Sequence, residues 1–420
     1  MSDIGSTWSG THSFTAPHLT NATTVDQVQE AVNAGDKVRA LGTRHSFHDI
    51  ADTTGTLITV TGIDPEPVID EQAHTVTVGA GTTYGALASW LHTHGWALHN
   101  MGSLPHISMG GAIATGTHGS GARNGALSTA VKALEYVGAD GELHTVTRGD
   151  ADFEGHVVAL GAYGISTRLT LDIQPTYDVR QDVYYGMRWD GLLDNLEEIL
   201  TAAYSVSVFT MWGGDDVEQV WRKSRIGVDQ DPPDQWWGAT RNAVSDASLV
   251  GGDPAALTAQ GGSPGPWLER LPHFRLENTP SNGDEIQTEY FVDRAVGAQA
   301  LEAVRGLADR IDPHLLITEL RTLAADDLWL SGAYGRDTMA IHFTWRNSPE
   351  EVAALLPAIE EALAPFDARP HWGKWHRFSR ERLAAVHPRI DDARALFDRL
   401  DPGARFSNHH LARLGVRSSA

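Results

Sequence analysis

Between Gln72 and Leu134 the chain has no aspartate and no glutamate, although its 420 residues carry 54 acids against 32 Lys and Arg and a formal net charge of −22. A run that long without a carboxylate limits what the segment can be built around: it suits a surface turned toward something negative. The same stretch is dense in Gly, Ser, Thr and His, residues that present backbone N–H groups and short donors to an anion. A dinucleotide is the anion this composition points to.

The length allows two domains. The absence of cysteine removes disulfides, thiolate catalysis and Cys-ligated metal or iron–sulfur sites. No apolar run approaches the ~20 residues that cross a bilayer, and the first residues lack the basic and apolar regions of a signal peptide. A cytoplasmic protein, monomeric and not membrane-bound, is therefore expected. The acidic balance argues against nucleic acid as a partner. Only four lysines occur, Lys37, Lys132, Lys223 and Lys374, so each merits inspection.

Periodicity predicts a helix after a capping box at Thr24 to Gln27, stopped at Gly35. Strands are predicted at Lys37 to Leu41, His74 to Val78, Val131 to Val137, Glu142 to Thr147 and Ile165 to Ile173, and a helix at Thr83 to His94. Residues from about Gly213 to Pro264, rich in Asp, Gly, Pro and Trp, read as loop and partly mobile. Beyond them the order strand (Ile286 to Val292), helix (Ala295 to Arg310), strand (Leu315 to Arg321), strand (Met339 to Trp345), helix (from Ser348) suggests helices on one face of an antiparallel sheet. The fold class expected is α+β.

Three glycine-rich segments follow strands or sit in small-residue runs. Gly42-Thr-Arg-His-Ser46 can form a nest of N–H groups for phosphate, or a plain strand–turn. Gly79-Ala-Gly81-Thr-Thr-Tyr-Gly85 lacks both the spacing and the downstream acid of a nicotinamide-type Rossmann loop. Asn100 to Gly121 combines Gly, Ser, Thr and His so densely that close backbone approach to a flat ligand is the better reading. Paired histidines such as His45 with His48 and His409 with His410 match no zinc spacing, so no metal is expected. On the later strands, Glu319 and Arg321 share one face, as do His342 and Thr344, with Ile341, Phe343 and Trp345 opposite. That polar face is either solvated or a wall over a ligand.

Gly-x-x-His-Ser at 42–46, Ser103-Leu-Pro-His-Ile-Ser108, Ala114-Thr-Gly-Thr-His-Gly-Ser-Gly121, Gly265 to Arg275, Ala333 to Thr338 and His371-Trp-Gly-Lys374 resemble the vanillyl-alcohol-oxidase flavoprotein family nearly end to end. Within it the likeness is strongest to bacterial members that oxidise alditols such as xylitol and sorbitol. The resemblance implies an FAD-binding domain of the PCMH type over residues 1–178 and a substrate domain, an antiparallel sheet with helices, over 179–420. It implies FAD linked covalently through His45. It places Ala40, Leu41, Gly42, Thr43, Arg44, Ser46, Ser103, Ser108, Gly111, Thr115, Gly116, Thr117, His118, Ile165 and Lys374 at the cofactor. Ser103, Glu319, Arg321, Thr344 and Lys374 would contact a polyol, and Lys374, Arg321 and His342 would be catalytic. The implied reaction oxidises a terminal CH–OH to the aldose and reduces oxygen to hydrogen peroxide; an aldonolactone oxidase is the alternative. Many relatives have glycine where this chain has Arg44, which makes the backbone there less permissive.

Overall fold

The computed structural model describes residues 4–63, 65–248, 253–278 and 283–417. The first half opens with strand His18–Asn21, followed by a helix, Val25–Ala34, whose N-cap Thr24 accepts from the Gln27 N–H while Gln27 Oε1 accepts from the Thr23 N–H. It leads into a three-stranded parallel sheet ordered His18–Asn21, Thr56–Thr59, Val38–Ala40. A second, antiparallel sheet is ordered Val68–Asp70, Thr75–Gly79, Gly164–Asp172, Val131–Gly138, Leu143–Thr147. Helix Tyr84–Thr93 ends at Gly95, which takes the left-handed conformation (φ 79°) open to glycine. The strands and helices expected here are present to within a residue or two.

The second half is built on one ten-stranded antiparallel sheet. Its central order is Asp178–Tyr185, Gln219–Arg225, Ser205–Thr210, Leu315–Leu323, Thr338–Arg346, Glu285–Asp293. The expected strand–helix–strand–strand–helix unit is there, but it is less than half of this sheet. Within the stretch read as loop, Gln219–Arg225 is a sheet strand with five consecutive buried residues, Val220 to Ser224. Its signal was hidden because polar residues are buried on both faces and find partners there; Arg222, for example, donates to Gln230 O at 2.8 Å. The pair Gln235–Trp236 and Ala239–Asn242 also lies in that stretch, while residues 249–252 are outside the described ones.

On one face of the sheet Ile341, Phe343 and Trp345 join Val352, Leu356 and Ile359 of helix Pro349–Ala362 in the main core. The other face carries two small apolar clusters, Phe291, Leu323 and Ala340 at one end and Phe209, Trp221 and Ile317 at the other. The polar residues lie between them. After the sheet, the chain returns to the first half: Lys37 Nζ donates to Ala404 O, Arg39 Nη1 to Phe406 O at 2.9 Å, and Arg417 Nη1 to Ala162 O at 2.9 Å. The C-terminal residues thus brace the strand that feeds the 42–46 loop.

Candidate active site

The 42–46 loop is held by short side chains. Ser108 N–H donates to Thr43 Oγ1 at 3.0 Å, and His45 Nδ1 lies 3.1 Å from the same hydroxyl. Gly42 is packed so closely that a Cβ there would stand 2.5 Å from Ser108 Oγ. Arg44 adopts φ 65°, a left-handed conformation natural to glycine and costly to other residues. It is kept there by Trp8, whose N–H donates to Arg44 O at 2.8 Å, and by Phe14, over whose ring the guanidinium sits at 5.9 Å. Trp8 also stacks on the His45 ring at 5.6 Å. Burial, with His106 adding to it, pulls the His45 pKa down to about 4, so the ring is neutral at pH 7.

Across from this loop stands the polar part of the large sheet. Glu319 pairs in register with His342, which pairs with Glu289 on the next strand. The expected solvated alternative does not hold: Glu289, Glu319, Arg321, His342 and Thr344 are all buried. Glu289 is the hub. One oxygen accepts from Arg321 Nη2 at 2.6 Å and lies 3.1 Å from His118 Nε2; the other accepts from Lys374 Nζ at 2.8 Å. Burial works against the Glu289 carboxylate, but Lys374 and Arg321 outweigh it and hold the pKa well below the ordinary value. Lys374 is pulled down chiefly by burial, with Glu289 opposing. Glu319 accepts from His273 Nε2 at 2.7 Å and stays ionised, because Arg321 and His273 overcome its burial. His342, driven by burial and Lys374, is held neutral, and among the described residues its buried Nε2 has no hydrogen-bond partner; Arg321 Nε has none either, although it lies 3.7 Å from Glu319 Oε2.

One cleft joins these two walls. Of the expected cofactor residues, Ala40 to Ser46, Ser103, Ser108, Gly111, Thr115, Thr117, His118 and Lys374 line it, as do Glu319, Arg321, His342 and Thr344. Gly116 and Ile165 do not. Gly116 (φ 69°) closes helix Met109–Ala114, and Ile165 points into the core while its neighbours Gly164 and Ser166 reach the cleft, as strand alternation requires. Glu289 and His371 were missed from the sequence alone. Glu289 had a signal, since it alternates with Ile286, Thr288 and Tyr290 on its strand and so faces the polar side. The cleft is also segregated by charge: its acids, Glu285, Glu289 and Glu319, all come from the second half, and the lining contributed by residues 7–166 contains none.

A carboxylate-free, glycine-lined wall with packed hydroxyls fits a dinucleotide, and the buried nitrogens of His342 and Arg321 opposite, which lack hydrogen-bond partners among the described residues, fit a flavin with a hydroxylated ligand beside it. Fold and cleft together define a flavoprotein oxidoreductase. Residues 17–147 match the FAD binding domain family, and residues 278–414 match the D-arabinono-1,4-lactone oxidase family. The chain is 43% identical to an alditol oxidase from a Streptomyces species over 99% of both chains, and 31% identical to L-gulono-1,4-lactone dehydrogenase from Mycobacterium tuberculosis, again over 99% of both. Its fold is similar to that of the crystal structure of cholesterol oxidase from B. sterolicum (TM-score 0.77, 16% identity, 98% of this chain and 96% of that one). The chain belongs to the alditol oxidase family of FAD-dependent oxidases, within the vanillyl-alcohol-oxidase class of flavoproteins. Among the described residues, no helix is long and apolar enough to cross a membrane.

Proposed function

We propose that this enzyme oxidises the terminal CH–OH of a polyol such as xylitol or sorbitol to the aldose, with oxygen reduced to hydrogen peroxide. The observation that carries the reading is the buried polar wall of Glu319, Arg321, His342 and Thr344, with Lys374 beside Arg321 on the shared Glu289 carboxylate and Ser103 in the lining of the same cleft. A polyol offers only hydroxyls, each donor and acceptor, and such a wall can satisfy several at once. Bound FAD supplies the hydride acceptor and, through its reoxidation by oxygen, the peroxide. Residues 40–46 with Ser108, Thr115, Thr117 and His118 would hold it, and His45 would link it covalently through a ring nitrogen. Neutral His342, whose buried Nε2 has no hydrogen-bond partner among the described residues, takes the hydroxyl proton, while Arg321 and Lys374 stabilise alkoxide character on the same oxygen.

Purified protein should release hydrogen peroxide on addition of xylitol, and Lys374→Ala should lower the rate of flavin reduction far more than the flavin content. An unchanged reductive rate in that variant sinks the role of Lys374. Acid precipitation should leave yellow colour in the pellet of the wild type and in the supernatant of His45→Ala; colour retained in the variant's pellet removes the His45 linkage. The match of residues 278–414 to a lactone oxidase family favours an aldonolactone as second reading. Faster turnover of a gulono- or galactono-1,4-lactone than of xylitol selects it.

A further inference from the structure

Beside the polar wall, on the same face of the sheet but outside the cleft lining, lies Lys223. Its side chain is buried, with 1% of its surface accessible. The three donors of its ammonium meet three acceptors: Leu271 O at 2.5 Å, His273 Nδ1 at 3.1 Å and Pro272 O at 3.4 Å. The opposite nitrogen of His273 stands 2.7 Å from Glu319 Oε1. The ring packs in T-shaped contact with Trp221 (5.0 Å) and Phe209 (5.7 Å).

The order of hydrogens along this chain is forced. The carbonyls of Leu271 and Pro272 can only accept, and an ammonium can only donate. His273 Nδ1 must then accept, so the proton of the neutral ring sits on Nε2 and is donated to Glu319. We infer that Lys223 is a positioning residue, acting through the His273 tautomer to hold Glu319 in place as a hydrogen-bond acceptor for a substrate hydroxyl. The role in turnover rests on the polyol reading; the tautomer does not.

If Lys223 loses its proton, the amine has two donors for three acceptors. The lone pair can then accept from Nδ1–H, so the preference for Nε2–H is weakened and rests on the Glu319 carboxylate alone. Burial brings Lys223 down to about 7, with Glu319 opposing and Arg321 assisting. The charged or titratable groups acting on it are His273 from the 265–275 segment and Glu319 and Arg321 from the Leu315–Leu323 strand; its cross-strand neighbours Gln181 and Ser205 are uncharged.

The test uses the holoenzyme labelled with 15N-histidine, as wild type, Lys223→Met, His273→Gln and the double variant. Ring 15N shifts should show His273 as the Nε2–H tautomer in the wild type at pH 6 and a loss of that preference in Lys223→Met. Lys223→Met should lower kcat/KM for xylitol roughly tenfold to a hundredfold, less than loss of a direct donor commonly does, and abolish the decline of kcat/KM above about pH 7. In the His273→Gln background Lys223→Met should change kcat/KM by less than twofold, because the two act in series. Additive losses in the double variant, or an Nδ1–H tautomer in the wild type at pH 6, overturn the inference. If Lys223→Met does not fold, the wild-type tautomer and the weakening of its preference between pH 6 and 9 decide alone. A wild type inert toward xylitol refutes the polyol reading, and the tautomer measurement then decides for or against Lys223 by itself.

Discussion

Lys374 Nζ lies 2.8 Å from Glu289 Oε2, while the other oxygen of the same carboxylate takes Arg321 Nη2 at 2.6 Å. The two cations assigned to the substrate oxygen are thus held by one fully buried anion. Their charges add toward the cleft, and Glu289 between them offsets their repulsion.

Replacing Glu289 by Gln keeps the shape and removes the counter-charge from two buried cations. Breaking a buried pair in this way costs about 3–5 kcal/mol. Denaturant unfolding should register a loss of that size, and the rate of flavin reduction by xylitol should fall on the order of 10². Wild-type stability together with a wild-type reductive rate would show that Glu289 is not the hub.

Arg44 occupies a left-handed position that glycine takes without strain. In Arg44→Gly the relief of strain is offset by lost contact with Phe14 and by a freer unfolded chain, so stability should change by no more than about 1 kcal/mol. Arg44→Ile should lose about 1–2 kcal/mol, since β-branched residues tolerate this conformation least. Equal melting curves for the Gly and Ile variants would contradict the assigned backbone strain.

Phe343 stacks between Trp345 (4.9 Å) and Trp212 (5.8 Å) on the helix-covered face of the sheet, opposite to His342 and Thr344. Phe343→Ala should cost about 3–5 kcal/mol through the cavity it leaves. The KM for xylitol should stay within about twofold, because the polar wall faces the other way. A large KM change with little loss of stability would mean that the two faces are exchanged.

His387 and His371 are buried and neutral. Burial, with Arg369 adding to it, pulls His387 down to about 3; burial and Lys374 hold His371 well below its ordinary value. In the unfolded chain each titrates near 6.5. From about pH 6.5 downward the unfolded chain therefore binds more protons than the folded one, so their contribution is complete above 6.5 and is lost as the pH falls. Two such groups give a slope of roughly 2.7 kcal/mol per pH unit. Urea unfolding of the holoenzyme at pH 7, 6, 5 and 4 measures it; a flat profile between 6 and 4 refutes the buried neutral state.

Local pattern succeeded as a guide where one face of an element is wet and the other dry. Helix Val25–Ala34 and the Val131–Gly138 and Leu143–Thr147 hairpin declare themselves that way; the Leu315–Leu323 and Thr338–Arg346 strands are buried on both faces and were legible only because polar and apolar residues still alternate along them. Local pattern failed where both faces are buried and that alternation is lost. In Gln219–Arg225, Arg222 and Lys223 imitate a solvated loop, because their partners (Gln230 O, and the 271–273 segment) lie outside the strand and are invisible to periodicity. Glu289 was passed over for a related reason: a single carboxylate on a strand means little until Lys374 and Arg321 are seen around it.

The amino-acid sequence alone determined that residues 72–134 would carry no carboxylate, and the structure extends that property to all of the cleft lining between residues 7 and 166. An anion-binding wall can be written as composition, since it needs only the absence of one charge and the presence of small donors along a continuous segment. The tertiary structure decided where the negative charge is allowed. Glu285, Glu289 and Glu319 enter the same cleft from the opposite sheet, two of them held ionised by Lys374, Arg321 and His273. Those pairings join residues 32 to 85 positions apart, and only the folding of the sheet brings their charges close enough to outweigh the cost of burying them.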